Sequence, residues 1–418
     1  MKKSLANLIN NIQYNHMASL LILTISMVIP FYSRQLLTGL PILYVWALLS
    51  ISYDVVLGLG GIPSFGHATP FGLGAFTVAI LISNGIPLTP ALIIGGIIGS
   101  ISYVSMGLPA YRVKGIYYAI LTLAIAEVIL ALINNISRTE VAITVGIVPE
   151  LLDINILWIY VVFTGFLTIL SLYVILIDLK TTKIHRILYI KIILYLIILI
   201  IVLYGFYYLL SSIYNFILKL SLGSIQYTDF IRFISPINRY FITLVTLMIS
   251  FMLIYLIYGS PVGSILRGVR ENPLRAEVIG YDIFRYQLLA FSVSGFFAGV
   301  SGGLYLLCVP TATLEVLSVD KTFIALLGTV IGGAGTIIGP LYGGVIVGFL
   351  RDYLRRIIPI FSLYLPLSPQ QLQILPSFIL GFIYIIIVLT VPYGIMGSWY
   401  YKAIDLRRRI KLYIYGRG

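Results

Sequence analysis

The sequence predicts an all-α polytopic membrane protein of about 10–12 transmembrane helices, with helices interrupted at two glycine-rich segments. Three observations predict it. Of 418 residues, 60% are hydrophobic and only 10% are charged, where a soluble domain carries about 25% charged residues. Mean hydropathy is +1.05, so the chain has too little polar surface to cover itself in water. Runs of roughly 20 apolar residues, enough to cross about 30 Å of hydrocarbon as helix, recur along the chain, with the polar residues gathered in short loops between them.

Taken in order, the candidate spans are residues 17–32, 37–57, 70–83, 88–107, 115–136, 155–177, 187–210, 236–258, 286–309, a long run 322–350, and 372–396. Met1, Lys2 and Lys3 precede an apolar stretch with no small-residue cleavage site after it, so the first span is expected to be retained. Lys and Arg in the loops set orientation. Arg112 and Lys114 share one loop, Lys180, Lys183 and Arg186 a second, and Arg267, Arg270, Arg275 and Arg285 a third. They alternate with poorer loops such as 135–153, where Glu140, Glu150 and Asp153 outweigh Arg138. This pattern places both termini in the cytoplasm of a multi-pass plasma-membrane protein, with a basic tail at 397–418 that carries Arg407, Arg408, Arg409 and Lys411. Eleven crossings would strand that tail outside. A break within 332–339 turns 322–350 into two short crossings and restores parity, and leaves Arg351, Arg355 and Arg356 facing outward.

The excess of 27 Lys+Arg over 14 Asp+Glu, a net +13, is therefore read as loop charge against membrane lipid. Nucleic acid is not an expected partner, because no stretch is long enough to build a water-soluble face. The single cysteine, Cys308, excludes an intrachain disulfide and reads as a buried, inert thiol. The whole chain, 1–418, reads as one membrane domain.

The two glycine-rich regions run from Gly58 to Phe76 and from Gly328 to Phe349. Helix breaks at membrane depth need their freed backbone groups satisfied by protein or by a water-filled cavity. Interrupted segments in corresponding places of two halves point to a translocation path. The competing reading is close helix packing, since Gly335, Gly339 and Gly343 are spaced by four, as are Gly295, Gly299 and Gly303. At the first break Pro63 also removes a backbone donor, which favours a pathway element. Pro63, Gly332, Gly333, Gly335 and Gly339 are the expected break residues. Around the first break, Asp54, Gly58, Gly61, Ser64, Phe65 and His67 are candidates for lining the path, together with Glu127. His67 either contacts the solute or hydrogen-bonds backbone at the break. Glu127 either lines the path or faces the interface near Arg112 and Lys114. Three scattered histidines and one cysteine offer no metal site, and no Ser/His/Asp constellation can be placed. No GxxxxGK[ST] phosphate loop occurs, so no nucleotide hydrolysis is expected of this chain.

Residues 259–285 form the one substantial polar insertion late in the chain. Ser260 suits a helix cap and Pro261 its first turn. Leu266 and Val269 fall on one apolar stripe, Asn272 and Pro273 stop that helix and start another, and Gly280 suits the exit. Two short helices joined by a bend result, apolar on one side and arginine-rich on the other, fit to seat in a groove on a partner.

The run Arg-Gly-Val-Arg-Glu-Asn-Pro-Leu-Arg-Ala-Glu-Val-Ile-Gly, from Arg267 to Gly280, resembles the coupling loop of ABC importer permeases of the branched-chain amino acid type (LivM-like, in the LivH/LivM superfamily). Segments 54–76, 112–127, 296–305, and 332–344 with 392–397 resemble the same family, in its order. Departures are Asp54 where Asn is usual, Ile62 where Gln is common, Arg275 where Ala is frequent, and no glycine-rich loop at 138–148. Residues 179–234 read as an extra or lengthened, variable segment.

The resemblance implies one of two permease subunits in an ATP-driven importer, not an enzyme, with no cofactor of its own. Its partners would be a second, LivH-like permease subunit, two cytoplasmic ATPase subunits that hold the ATP, and an external binding protein. In the coupling helices, Arg267, Arg270 and Arg275 would supply polar contacts to the ATPases, Leu266 and Val269 the apolar seat, and Glu271 an ion pair holding the bend. Branched-chain or other small neutral amino acids are the expected cargo, with urea or short amides also within the family. A secondary carrier is the alternative class, although it would not need the paired-helix loop.

Overall fold

A computed structural model describes residues 34–111, 113, 115–136, 143–144, 227–361, 369–390 and 394–396. The candidate spans 17–32, 155–177 and 187–210, most of 179–234, the 397–418 tail, Arg112 and Lys114 lie outside those residues. The helices are α1 (Arg34–Asp54), α2 (Ala68–Ser83), α3 (Leu88–Gly107), α4 (Ile116–Ile136), α5 (Tyr227–Gly259), α6 (Pro261–Glu271), α7 (Pro273–Val278), α8 (Ile283–Cys308), α9 (Val319–Gly332), α10 (Ile338–Phe361) and α11 (Pro369–Thr390). Two short strands, β1 (Ile143–Thr144) and β2 (Thr311–Ala312), pair antiparallel with Ile143 opposite Ala312. Among the described residues, five segments are long and apolar enough to cross a membrane: Thr38–Leu59, Leu88–Gly107, Ile116–Asn135, Arg239–Gly259 and Ile283–Cys308.

The chain divides into two compact units, residues 1–40 with 148–241, and 41–147 with 242–418. In the first, the described residues are the opening turns of α1 and of α5, where the Tyr240 ring meets Phe241 edge-on at 5.4 Å. The second carries all the remaining helices.

Its core is set by glycine. A Cβ on Gly74 of α2 would lie 2.4 Å from the Gly299 Cα of α8, and one on Gly99 of α3 would lie 2.5 Å from the Gly295 carbonyl. The backbones of α2, α3 and α8 therefore touch, the small-residue packing that apolar helices need when lipid competes for every larger side chain. Ser100 and Ser292 add a hydrogen bond at 2.9 Å between α3 and α8. For Gly295 and Gly299, the four-residue spacing marks packing.

Both expected breaks are present. After Asp54, α1 runs into a π-helical turn, Val55–Leu59, and residues 62–67 leave helix before α2 starts. At 16 residues, α2 is about 24 Å long, short of a full crossing. The second break separates α9 from α10, with Gly333, Gly335 and Ile337 at positive φ. A Cβ on Gly332 would sit 1.9 Å from the Gly339 carbonyl, so the two helices meet backbone to backbone as they leave the turn.

Candidate functional site

The helix pair after α5 is built by its caps. Ser260 Oγ accepts from the Gly263 N–H at 3.2 Å with Pro261 in the first turn of α6. Asn272 Oδ1 accepts from the Arg275 N–H at 3.0 Å with Pro273 opening α7. Gly280, at φ 99°, allows the exit toward α8. These local signals place Arg270 in the last turn of α6, where the residue is exposed overall but its guanidinium reaches back to the first break.

Arg270 Nη1 donates to the Gly58 carbonyl, inside the π-helical turn that interrupts α1. Asp54, the last residue of α1, is fully buried. Its Oδ1 accepts from the Gly335 N–H at 2.7 Å, in the second break, and its Oδ2 accepts from the Tyr258 hydroxyl at 2.5 Å, at the end of α5. A buried carboxylate without donors would be strongly disfavoured; here both oxygens are used. The space is just sufficient. A Cβ on Gly58 would lie 2.0 Å from Asp54 Oδ1, one on Gly61 2.4 Å from Arg270 Cγ, and one on Gly335 2.6 Å from Arg270 Nη1. Thus Asp54, Gly58, Gly61, Arg270 and Gly335 come together, and with Tyr258 they join α6 to both helix breaks at one point.

Ser64, Phe65 and His67 belong to a neighbouring framework. The Tyr53 hydroxyl donates to the Ser64 carbonyl at 2.9 Å, and the Phe65 N–H donates to Thr122 Oγ1 on α4 at 3.0 Å. The Ala68 N–H donates to Thr322 Oγ1 on α9 at 2.7 Å. His67 is fully buried, its ring 5.1 Å from those of Tyr53 and Tyr103, both edge-on. Ser52 Oγ lies 2.7 Å from the Leu49 carbonyl and 2.9 Å from His67 Nε2, within hydrogen-bond distance of both. That is a polar anchor for the residues between α1 and α2. Glu127 stands apart, exposed on α4. Gly332, Gly333 and Gly339 shape the second break without reaching the Asp54 carboxylate; Pro63 sits half-buried in the first.

Two expectations about the helix pair change. Leu266 and Val269 are each 1% exposed, because α6 lays that stripe on α8 and on the π-helical turn. They seat the loop on its own chain and are closed to a partner. The exposed apolar residues are instead Leu274, Val278 and Ile279, at 74%, 87% and 67%. Glu271 makes no ion pair among the described residues; the Asn272 cap holds the bend. Arg267, Glu271, Asn272, Arg275 and Gly280 remain exposed.

Sequence reasoning missed Tyr258 and a second group of buried charges, Lys321 and Arg351, with Asp320 and Glu315 beside them. Their one sequence signal is the Asp320–Lys321 pair at the edge of an apolar run; what they meet is set by contacts 31 residues away.

A family model described as the branched-chain amino acid transport system / permease component matches residues 35–391. The chain is 21% identical over 313 residues to the high-affinity branched-chain amino acid transport system permease protein LivM of Escherichia coli (strain K12), covering 74% of this chain and 61% of that one. It is 25% identical over 142 residues to the guanosine ABC transporter permease protein NupQ of Bacillus subtilis (strain 168), covering 32% and 44%. It is 28% identical over 158 residues to the probable branched-chain amino acid transport permease protein LivH of Methanocaldococcus jannaschii, covering 37% and 47%. The matches thus span 44% to 61% of those relatives' lengths. No solved structure is significantly similar to the chain.

Proposed function

The chain belongs to the branched-chain amino acid transport permease family, and from that premise we propose that it is a membrane-spanning permease subunit of an ATP-driven importer. It would form the translocation path with a second permease subunit, take solute from an external binding protein, and be worked by two ATPase subunits docked on the α6–α7 pair. ATP binds on those partners; this chain positions and transmits. The cargo is a branched-chain or other small neutral amino acid.

The observation that carries the reading is the junction of Arg270, Gly58, Gly335 and Asp54. A force applied to α6 reaches both interrupted helices through one guanidinium and one carboxylate. Coupling in these terms is a difference in free energy between two arrangements of the junction, which nucleotide-driven closure of the docked ATPases would bias.

The test is leucine uptake by the assembled complex in liposomes, with ATP inside and the membrane potential clamped. Uptake that follows ATP and survives an uncoupler supports the reading. Uptake that collapses with the uncoupler at constant ATP replaces it with a secondary carrier. The same vesicles given labelled guanosine on the outside, the solute in the NupQ relative's name, report whether the cargo is instead a nucleoside.

A further inference from the structure

A second polar group, unused by the α6 junction, lies between α1, α9 and α10. Lys321 is 1% exposed and Arg351 6%. Lys321 Nζ is 3.2 Å from Glu315 Oε1 and 3.9 Å from Asp320 Oδ2, and Arg351 Nη2 donates to Asp320 Oδ2. Both cations stand over the Trp46 ring, Lys321 Nζ at 5.8 Å and Arg351 Cζ at 5.9 Å from its centroid. The wall continues through Phe71 and Tyr305, whose rings are 6.0 and 5.6 Å from Trp46.

The group is not balanced internally. Arg351 Nη1 and Trp46 Nε1 are buried and have no hydrogen-bond partner among the described residues. Trp46 itself is 3% exposed. Its Cδ1, the ring atom next to Nε1, lies 2.5 Å from where a Cβ on Gly348 would be, so this edge faces α10 one turn before Arg351. The carboxylates are placed differently: the side chains of Glu315 and Asp320 are 62% and 47% exposed. The result is a polar gradient, from exposed carboxylates to buried cations with the Arg351 Nη1 and Trp46 Nε1 groups unpartnered among the described residues, against an aromatic wall.

An ion cluster that served only to hold α9 to α10 would use its donors up, since buried donors left over are disfavoured. The spare N–H groups of Trp46 and Arg351, beside the Lys321 cation, call for an anionic acceptor that the described residues do not supply. The exposed carboxylates suit a cation at the other end of the same ligand, and the rings suit an apolar side chain. We propose that Trp46, Lys321 and Arg351 bind the carboxylate of the transported solute, with Asp320 and Glu315 taking its ammonium group, so that the site selects zwitterionic α-amino acids. The proposal rests on the transport reading, and it assigns recognition to residues separate from the coupling junction.

The experiment is leucine uptake by the complete transporter in cells, with unlabelled leucine or leucinamide, which lacks the carboxylate, as competitor. Wild type should prefer leucine at least tenfold. Arg351→Gln should raise the half-saturating leucine concentration by about tenfold or more, the scale of one lost charge-assisted hydrogen bond. Trp46→Phe, which keeps a ring and removes the N–H, should raise it about threefold to tenfold. In both variants the preference for leucine over leucinamide should shrink, with uptake compared at matched membrane level. If Arg351→Gln fails to reach the membrane, Trp46→Phe decides. Half-saturation within twofold of wild type in the variants that assemble, or equal competition by leucinamide in wild type, overturns the proposal. ATP-independent uptake that still depends on Arg351 would remove the coupling reading and leave this site. ATP-driven guanosine uptake without any leucine uptake would do the reverse.

Discussion

Arg270, on α6, donates to the carbonyl of Gly58, a residue 212 positions earlier that lies inside the interruption of α1. A single side chain thus ties the helix pair to the first break, and through Gly335 and Asp54 to the second. The helix pair carries its apolar residues on two surfaces. One is buried against its own chain and the other is exposed.

Arg270→Ala should leave the Gly58 carbonyl without its donor and cut the link between α6 and the breaks. ATP hydrolysis by the assembled complex should persist while solute uptake falls by about tenfold or more, the scale set by one hydrogen bond to a charged group. Parallel ATPase and uptake assays on one preparation check it. Equal uptake per ATP in variant and wild type would remove Arg270 from the transmission route.

Asp54→Ala orphans the Gly335 N–H and leaves the Tyr258 hydroxyl only the longer bond to the residue-54 carbonyl, at 3.2 Å. Each unsatisfied buried group is worth about 1–3 kcal/mol, so thermal unfolding in detergent should move down by several degrees. Asp54→Asn keeps an acceptor for Gly335 and can donate to the Tyr258 oxygen, so it should be the milder change. An Asn variant as unstable as Ala would contradict the hydrogen-bond arrangement.

Gly61→Ala meets two obstacles: φ of +70° and a Cβ 2.4 Å from Arg270 Cγ. The conformational part alone is about 1–2 kcal/mol. The variant should displace Arg270 and resemble Arg270→Ala in uptake. Gly268→Ala on α6, with nothing within 4 Å of its Cβ, is the control and should leave uptake unchanged.

Leu266→Ala should destabilise the chain by about 2–5 kcal/mol, as expected for a large-to-small change at a buried site. Val278→Asp, at a position 87% exposed, should leave the fold intact and weaken retention of the ATPase subunits on affinity purification. If Val278→Asp purifies with a full complement of ATPase and Leu266→Ala does so with unchanged stability, the division of the loop into an inner and an outer surface is wrong.

Much of the architecture was legible before any coordinates. Residues 88–107 coincide with α3, and 115–136 differ from α4 by one residue, because long apolar runs at membrane thickness admit one backbone solution. The caps of α6 and α7 were legible too, since Ser-Pro and Asn-Pro act through atoms only a few residues away. The orientation of α6 was not. A stripe of Leu266 and Val269 reads equally as a face for a partner or for the chain itself, and only the neighbours decide. His67 shows the same limit: its position at the break was evident, but its role as a buried anchor follows from Ser52, Tyr53 and Tyr103 closing around it.

By itself the sequence determined that this chain is helical and lipid-embedded, where it breaks, and how the polar helix pair is capped. Those features depend on hydropathy, backbone propensity and local hydrogen bonds, which operate over one or two turns. Tertiary structure alone decided which charges are buried and what they meet. Asp54 with Gly335, Arg270 with Gly58, and Lys321 and Arg351 around Trp46 each join residues far apart in the chain. Such pairings arise only after helices pack, because a buried charge is stabilised by whichever donors the packed neighbours bring within about 3 Å, and no local signal specifies them.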